Sequence, residues 1–282
     1  MSAQARRFNV IGHRIFGNEA APNTMEAVIK AANSQIQGIE TDVFLNKDGK
    51  LYVIHGDSDF GSVKLRNLRE QEGQWENYII GDCSDAFLED MCYHKSDGHK
   101  ILTLSQILPH FKGNGMTINV EIKELDPVVV KMIVDEFIAH EMLSQLILSS
   151  FYHYHRKFLS EYTNSLGVHD VPFGFLTYSV FVGATDCLLS LAQSGDRITL
   201  SNAALRRYIH NFPDLFKKTM QKGMKINIWF DGLKTEDIET LENYQSLIDL
   251  GIDSIITNCP SKAVAIQSRI SNPHSQKTEI CE

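Results

Sequence analysis

The stretch FNVIGHRIFGNEAAPNTMEAVIKAANSQIQGIETDVF, residues 8–44, decides the fold. Phe8–Gly12 reads as a short apolar strand, Thr24–Ser34 as a helix and Gly38–Phe44 as a second strand, which together make one strand–helix–strand unit. The alternation continues to the far end of the chain. Further strands are expected at Met116–Ile122, Gln145–Ser149, Phe173–Thr177, Arg197–Leu200, Lys225–Phe230 and Asp253–Thr257. Helical patterns fill the gaps at Pro127–His140, Tyr152–Thr163, Asp186–Gln193, Ala203–Ile209 with Pro213–Lys222, Glu236–Asp249 and Ser261–Ser268. Eight strands, each followed by a helix, point to the α/β class and a closed parallel (β/α)8 TIM barrel. Alternation alone does not close the ring, so an open doubly wound sheet is the competing topology. No Gly-x-Gly-x-x-Gly follows the first strand and no Gly-x-x-x-x-Gly-Lys-Ser/Thr occurs, which weakens the nucleotide-binding folds.

The chain's 282 residues would fill about two average domains, but one α/β barrel absorbs this length. Residues 1–270 therefore read as a single barrel and residues 271–282, polar and carrying Pro273, as a flexible tail. The alternation breaks at residues 57–100, a polar, glycine-punctuated insertion after the second strand and of a length that often carries function. Just before it, Leu51-Tyr-Val-Ile-His pairs with Asp42-Val-Phe-Leu across the turn signal Asn46-Lys-Asp-Gly.

Composition narrows the function. Hydrophobic residues make up 43% and charged residues 22%, ordinary for a globular protein and against wholesale disorder. With 27 Lys and Arg against 35 Asp and Glu, the net charge of −8 argues against a general nucleic-acid binder. The longest run without a charge, Val171–Thr185, is 15 residues and holds Pro172, Gly174 and Gly183, too short and too broken for a transmembrane helix. The N-terminus lacks the apolar run of a signal peptide. The cysteines Cys83, Cys92, Cys187, Cys259 and Cys281 are scattered, which fits a reducing, cytoplasmic compartment and offers no zinc knuckle.

Glu40 and Asp42 stand two apart on one strand and so share a face, which in a barrel can be the interior at the catalytic mouth. Glu121 and Lys123 repeat the spacing in Asn119-Val-Glu-Ile-Lys. Three carboxylates meeting in a low dielectric repel strongly unless a cation joins them, and an all-oxygen donor set favours one hard divalent ion, Mg²⁺ or Ca²⁺. The plainer reading is that the acids pair with Arg14 and Lys123. His13 closes the first strand and His55 ends the hairpin strand, and such a pair could carry protons on either side of a phosphorus centre. Arg14 offers a planar fork for phosphate oxygens. Trp229 either walls a substrate pocket or packs in the core. His153 and His155, two apart on an expected helix, face different ways, and the remaining histidines show no acid or cysteine at ligand spacing.

Assembled, these residues resemble the glycerophosphodiester phosphodiesterase family. The resemblance runs in order through Ile11-Gly-His-Arg, Pro22-Asn-Thr, Gly38-Ile-Glu-Thr-Asp-Val, Val53-Ile-His, Leu102-Thr-Leu, Asn119-Val-Glu-Ile-Lys, Ser150-Phe, Asn227-Ile-Trp and Gly251-Ile-Asp-Ser-Ile-Ile-Thr-Asn-Cys-Pro. It implies a (β/α)8 barrel with an insertion after the second strand, and metal-dependent cleavage of a phosphodiester to an alcohol and glycerol 3-phosphate. By that resemblance Glu40, Asp42 and Glu121 are the metal ligands, His13 and His55 the acid–base pair, and Arg14 and Lys123 the phosphate contacts. Three positions depart from the family pattern. Ile15 replaces the usual glycine, Pro22 replaces a common glutamate, and Gly56 precedes Asp57 where the family commonly has Asp directly after the histidine. Gly56 also resembles the related sphingomyelinase D toxins, so two alternatives stand beside the leading one. The first is a lysophospholipase D or sphingomyelinase D-like activity, which would need an apolar mouth from Phe60, Trp75, Phe87 and Met91. The second is a barrel that binds a phosphorylated ligand without turning it over.

Overall fold

In the strands, side chains alternate between two partners, and that alternation builds the barrel. The structure, a computed structural model, describes residues 8–57, 61–70, 72–96, 98–168, 171–178, 182–211, 213–230 and 238–271. In chain order, β1 (Asn9–Gly12) leads through α1 (Met25–Ala32) to β2 (Gly38–Leu45), which turns back as β3 (Leu51–Val53). The insertion follows as β4 (Ser62–Asn67), β5 (Glu76–Ile79), α2 (Asp85–Leu88) and β6 (Met91–Tyr93), and the chain returns through β7 (Leu102–Thr103) and α3 (Leu104–Ile107). Next come β8 (Thr117–Ile122), α4 (Val128–Ala139), β9 (Leu146–Ser150), α5 (His155–Ser165), β10 (Phe173–Thr177) and α6 (Val182–Leu191). The last part is β11 (Arg197–Ser201), α7 (Asn202–Asn211), α8 (Pro213–Gln221), β12 (Lys225–Trp229), α9 (Leu241–Asp249), β13 (Ser254–Thr257) and α10 (Pro260–Ser271).

Eight of these strands close a parallel ring in the order β1-β2-β8-β9-β10-β11-β12-β13, sealed where β1 pairs with both β13 and β2. The expected barrel is therefore present and the open sheet is excluded. Along each strand one parity, such as Val10, Ile39, Val120, Leu148, Phe175, Leu200, Ile228 and Ile255, joins the main core beneath the helices. The other parity points into the ring, and there the layer under the acids is polar. Asn119, Ser149, Thr199 and Asn227 are all buried, with Asn119 Oδ1, Ser149 Oγ, Thr199 Oγ1 and Asn227 Oδ1 lacking a protein hydrogen-bond partner. Space there is tight: a Cβ on Gly174 would lie 2.9 Å from that of Ser149.

The hairpin pairs Val43 with Val53 and Leu45 with Leu51, across the Asn46-Lys-Asp-Gly turn. Strands β5-β4-β6 form a separate antiparallel sheet, whose Val63, Leu65 and Met91 pack with Leu88 of α2 and with Phe44, Tyr52 and Ile54 in a second core. Helix α9 starts later than the sequence suggests. Thr240 caps it, its hydroxyl accepting the Asn243 N–H, and Glu239 turns into the protein interior instead of beginning a helical turn. Residues 236–237 lie outside the described part, as do Phe60 and the tail beyond Ser271, while Ser271 itself ends α10. No helix among the described residues is long and apolar enough to cross a membrane.

Candidate active site

Parallel register brings together carboxylates that lie some 80 residues apart in sequence. Asp42 sits opposite Glu121 on the neighbouring strand, and Glu40 opposite Asn119. Oxygens of Glu40, Asp42 and Glu121 lie within 4.8 Å of one another, and all three residues are buried. Every strand involved ends at the same mouth, the C-terminal face on which barrel enzymes assemble their chemistry. His13 and Arg14 follow β1, His55 follows β3, Lys123 follows β8 and Trp229 ends β12, and all five line one cavity with Glu40, Asn119 and Glu121. The acids, histidines, cationic side chains and tryptophan named as site residues from the sequence all reach this mouth, Asp42 lying beneath it against Lys123.

Local backbone chemistry sets the acids. Glu40 Oε2 accepts the Arg14 N–H at 2.9 Å and the Glu40 carbonyl accepts the Ile15 N–H at 2.7 Å, so the turn after β1 folds over this one residue. To do so Arg14 and Ile15 adopt φ of 49° and 79°. That is where a glycine would be easy, and the β-branched Ile15 costs about 1–2 kcal/mol there. Its side chain is fully buried in the main core, which returns about 1.5–3 kcal/mol, so packing offsets the strain. Asn23, also left-handed at φ 58°, donates to Asp42 Oδ2 at 3.4 Å and accepts from the Thr41 hydroxyl at 3.0 Å. Pro22 brings no carboxylate to this corner, and the acidic cluster among the described residues is the triad alone.

The charges are unbalanced. Lys123 Nζ lies 3.2 Å from Asp42 Oδ1 and bonds Glu121 Oε1, so the plainer ion-pair reading holds for two acids. Glu40 receives no such partner: its Oε1 is buried with no hydrogen bond. Burial, followed by the Asp42 and Glu121 charges, lifts the Glu40 carboxyl well above the usual range. Burial and Asp42 likewise raise Glu121, against the pull of Lys123. Asp42 goes the other way, because Lys123, His55 and Arg14 outweigh its burial and hold it below the ordinary carboxylate. A buried oxygen-only triad with one orphaned acceptor and too few cations fits a hard divalent ion.

A stability measurement checks this imbalance. In metal-free protein Glu40 binds its proton more tightly folded than unfolded, so wild-type stability falls as pH rises past the ordinary value of 4.5 toward the raised one. Glu40→Gln removes that loss. Its stability relative to wild type should therefore climb across that window, by about 1.4 kcal/mol for each pH step of one, and saturating Mg²⁺ or Ca²⁺ should reverse the order. A pH-independent difference in urea midpoints would show that the Glu40 carboxyl is not raised.

Both cavity histidines are held by Nδ1. His13 Nδ1 lies 2.6 Å from Asn258 Oδ1, and His55 Nδ1 lies 2.7 Å from the Gly56 carbonyl, leaving each Nε2 for chemistry. Burial, helped by Arg14, pushes His13 down to about 4, and burial also lowers His55. His153 and His155 are held through Nε2 instead, by the carbonyls of Leu176 and Glu124, and His153 precedes α5 instead of lying on it. Three other histidines do meet acids: His140 lies 3.3 Å from Glu136 one helical turn back, His94 lies 3.6 Å from Asp57 and His99 lies 3.7 Å from Glu26. None of these pairs lines the cavity of His13 and Arg14, although Asp57 borders the adjoining one with His55, Glu121 and Lys123.

One wall of the cavity is aromatic. Phe151 and Tyr178 stack at 4.7 Å and 10°, and Trp229 meets both edge-on, at 6.3 and 5.4 Å. The apolar mouth expected from the insertion does not form as proposed. Met91 is buried in the insertion's own core, Phe87 packs on Tyr78, and Trp75 lies under the Arg66 guanidinium. Phe151, Tyr178, Asn23 and Asn258 have no role that the sequence alone suggests. Phe151, Tyr178 and Asn258 directly follow strands and Asn23 directly precedes the cap of α1; Asn23, Phe151 and Asn258 fall within motifs of the family resemblance, which gives them no role of their own.

The sequence profile of the glycerophosphoryl diester phosphodiesterase family matches residues 13–262. A glycerophosphodiester phosphodiesterase of Caldanaerobacter subterraneus subsp. tengcongensis is 23% identical over 90% of this chain and 96% of its own, and one of Bacillus altitudinis is 24% identical over 93% and 98%. The structure of an Oleispira antarctica phosphodiesterase in complex with the product sn-glycerol-3-phosphate superposes with a TM-score of 0.71 at 17% identity, over 93% of this chain and 97% of that one. The match runs from the His13 that opens the mouth to the helix after β13, and so takes in all three acids and both imidazoles of the site: the chain belongs to the glycerophosphoryl diester phosphodiesterase family.

Proposed function

We propose that this protein hydrolyses glycerophosphodiesters to an alcohol and glycerol 3-phosphate, using one divalent cation, Mg²⁺ or Ca²⁺, with His13 and His55 as the acid–base pair. The observation that carries the reading is a buried acid triad, two histidines presenting Nε2 and two cationic side chains, all converging on one cavity. Glu40, Asp42 and Glu121 would hold the cation, which when bound supplies Lewis-acid polarisation of a phosphoryl oxygen. Arg14 gives a two-pronged contact to phosphate oxygens, and Lys123 gives a compact charge against the negative charge that builds as the bond breaks. One imidazole removes the proton of the nucleophile, either water or the glycerol 2-hydroxyl on the way to a cyclic phosphate. The other protonates the departing alkoxide. Trp229, with Phe151 and Tyr178, offers apolar faces to the carbon atoms of the small-molecule substrate. The names of the curated relatives and the product held by the Oleispira antarctica enzyme support the same substrate class. Among the described residues Cys83, Cys92 and Cys187 are free thiols, in keeping with a reducing, cytoplasmic setting.

Product analysis tests the proposal. Glycerophosphocholine incubated with Mg²⁺ or Ca²⁺ should release glycerol 3-phosphate, and a chelator should stop the release. Turnover of lysophosphatidylcholine alone would favour the lysophospholipase D or sphingomyelinase D-like reading. Binding of glycerophosphocholine without product in either metal would favour the non-catalytic barrel.

A further inference from the structure

We infer that Asn258 is a positioning residue that sets the tautomer of His13, and that the buried Glu239 holds Asn258 in place for it; the inference rests on the phosphodiesterase reading only in that His13 takes part in turnover. Asn258 directly follows β13, is 2% exposed, and does not line the cavity. Its Oδ1 lies 2.6 Å from His13 Nδ1 across 245 positions of sequence. An amide oxygen can only accept, so Nδ1 carries the ring proton and Nε2 keeps a lone pair. That nitrogen faces the acid side of the mouth, 3.9 Å from Glu40 Oε2.

The backbone on both sides of this contact is clamped. His13 donates its N–H to the Thr257 carbonyl at 3.0 Å, and Asn18 donates to the Asn258 carbonyl at 2.7 Å. Gly17 lies between them at φ 61°, and a Cβ there would sit 2.3 Å from the Asn258 oxygen, so only glycine lets the loop press so closely. Glu239 closes the arrangement from behind with no exposed surface. Its Oε1 accepts the Asn258 N–H at 3.2 Å, and its Oε2 accepts both the Tyr244 and the Thr257 hydroxyls. A buried carboxylate is costly unless several donors share it. Here those donors belong to Thr257, to Asn258 and to Tyr244 on α9, so the charge is used to pin the residue that touches His13. His153 and His155, by contrast, are each satisfied through Nε2 by a main-chain carbonyl, whereas both rings that line the cavity are attached through Nδ1.

Histidine ¹⁵N spectra of metal-free protein, read beside kcat and KM, test the assignment. Wild type should show His13 protonated at Nδ1. Asn258→Asp, which keeps an acceptor, should preserve that tautomer and most of kcat. Asn258→Leu should lose the tautomer and lower kcat by about 10²-fold or more, with KM changed only about threefold or less, since proton transfer and not substrate binding suffers. Calorimetric Mg²⁺ affinity should stay near wild type in both variants. A wild-type spectrum with the proton on Nε2 overturns the inference, and it decides the matter even if the leucine variant does not fold. A leucine variant that folds and keeps wild-type kcat overturns it as well, and so does an aspartate variant as impaired as the leucine one, because the amide would then be donating to the ring. The spectra need no substrate, so a wild-type protein that fails to cleave any glycerophosphodiester would defeat the proposed function and leave the tautomer result standing.

Discussion

Replacing Glu121 with Gln is expected to weaken Mg²⁺ or Ca²⁺ binding and to lower turnover of glycerophosphocholine together, by about 10²-fold or more in kcat, the usual cost of losing one element of charge stabilisation at a reacting phosphoryl group. Glu121 pairs in register with Asp42 and shares Lys123 with it. The glutamine is close to isosteric, so the strand register that sets Glu121 opposite Ser149 should survive. What changes is charge: the triad loses one of three negatives while Lys123 stays beside it. Metal-free protein should not lose stability, because burial and Asp42 already disfavour the ionised Glu121. The expected signature is a metal-free melting temperature at or above wild type, a smaller upward change on adding cation, and a kcat that rising metal concentration restores only in part. Calorimetry against each cation, thermal melts with and without metal, and steady-state rates give the three readings. Wild-type turnover in this variant would remove Glu121 from the catalytic machinery, and a large fall in metal-free stability would mean that its charge is structural.

The barrel is legible because it is written locally. Short apolar runs, helical spacing and strand-end polar residues recur along nearly the whole chain, and each is read within a window of a dozen residues. The acids are legible for the same reason, since Glu40 and Asp42 show their shared face in three residues. Beyond the window the pattern fails. Asn258 and His13 touch across the seam where β13 meets β1, and nothing near either residue signals the contact. The spacing carries α9 back through Glu239, which lies outside the helix, because glutamate has helix-compatible chemistry, and its burial under Tyr244 and Thr257 is a tertiary fact. The insertion can be located from sequence but not resolved into β4–β6, whose core borrows Phe44, Tyr52 and Ile54 from the hairpin. Its Met91 and Phe87 look available for a lipid-facing mouth only while that core is unseen. The aromatic wall arises from three separate strand ends, so Trp229 alone could be suspected.

Changing either histidine to Gln is expected to cost about 10²–10⁴ in kcat, the range for losing a general acid or base, and the two losses should separate when the leaving group is changed. Both rings are secured at Nδ1 and present Nε2 to the same cavity, so the geometry gives them equivalent reach. Their surroundings differ. His13 is the more deeply buried, pushed down to about 4 by that burial and by Arg14, whereas His55 sits at the junction with the insertion beside Gly56 and Asp57. With a choline ester the departing alkoxide is a strong base and must be protonated, so both variants should be slow. With a p-nitrophenyl ester of glycerol 3-phosphate the leaving phenolate needs no proton, and the variant lacking the acid should recover most of its rate. The variant lacking the base should not, because the nucleophile must still be deprotonated. The double variant should be no worse than about tenfold below the slower single variant, since groups acting in one step are not additive. Recovery of one single variant and not the other identifies the acid. Recovery of both, or of neither, would mean that the two imidazoles do not divide the proton transfers between them, and the paired acid–base mechanism would have to be abandoned even if the acids still bind the metal.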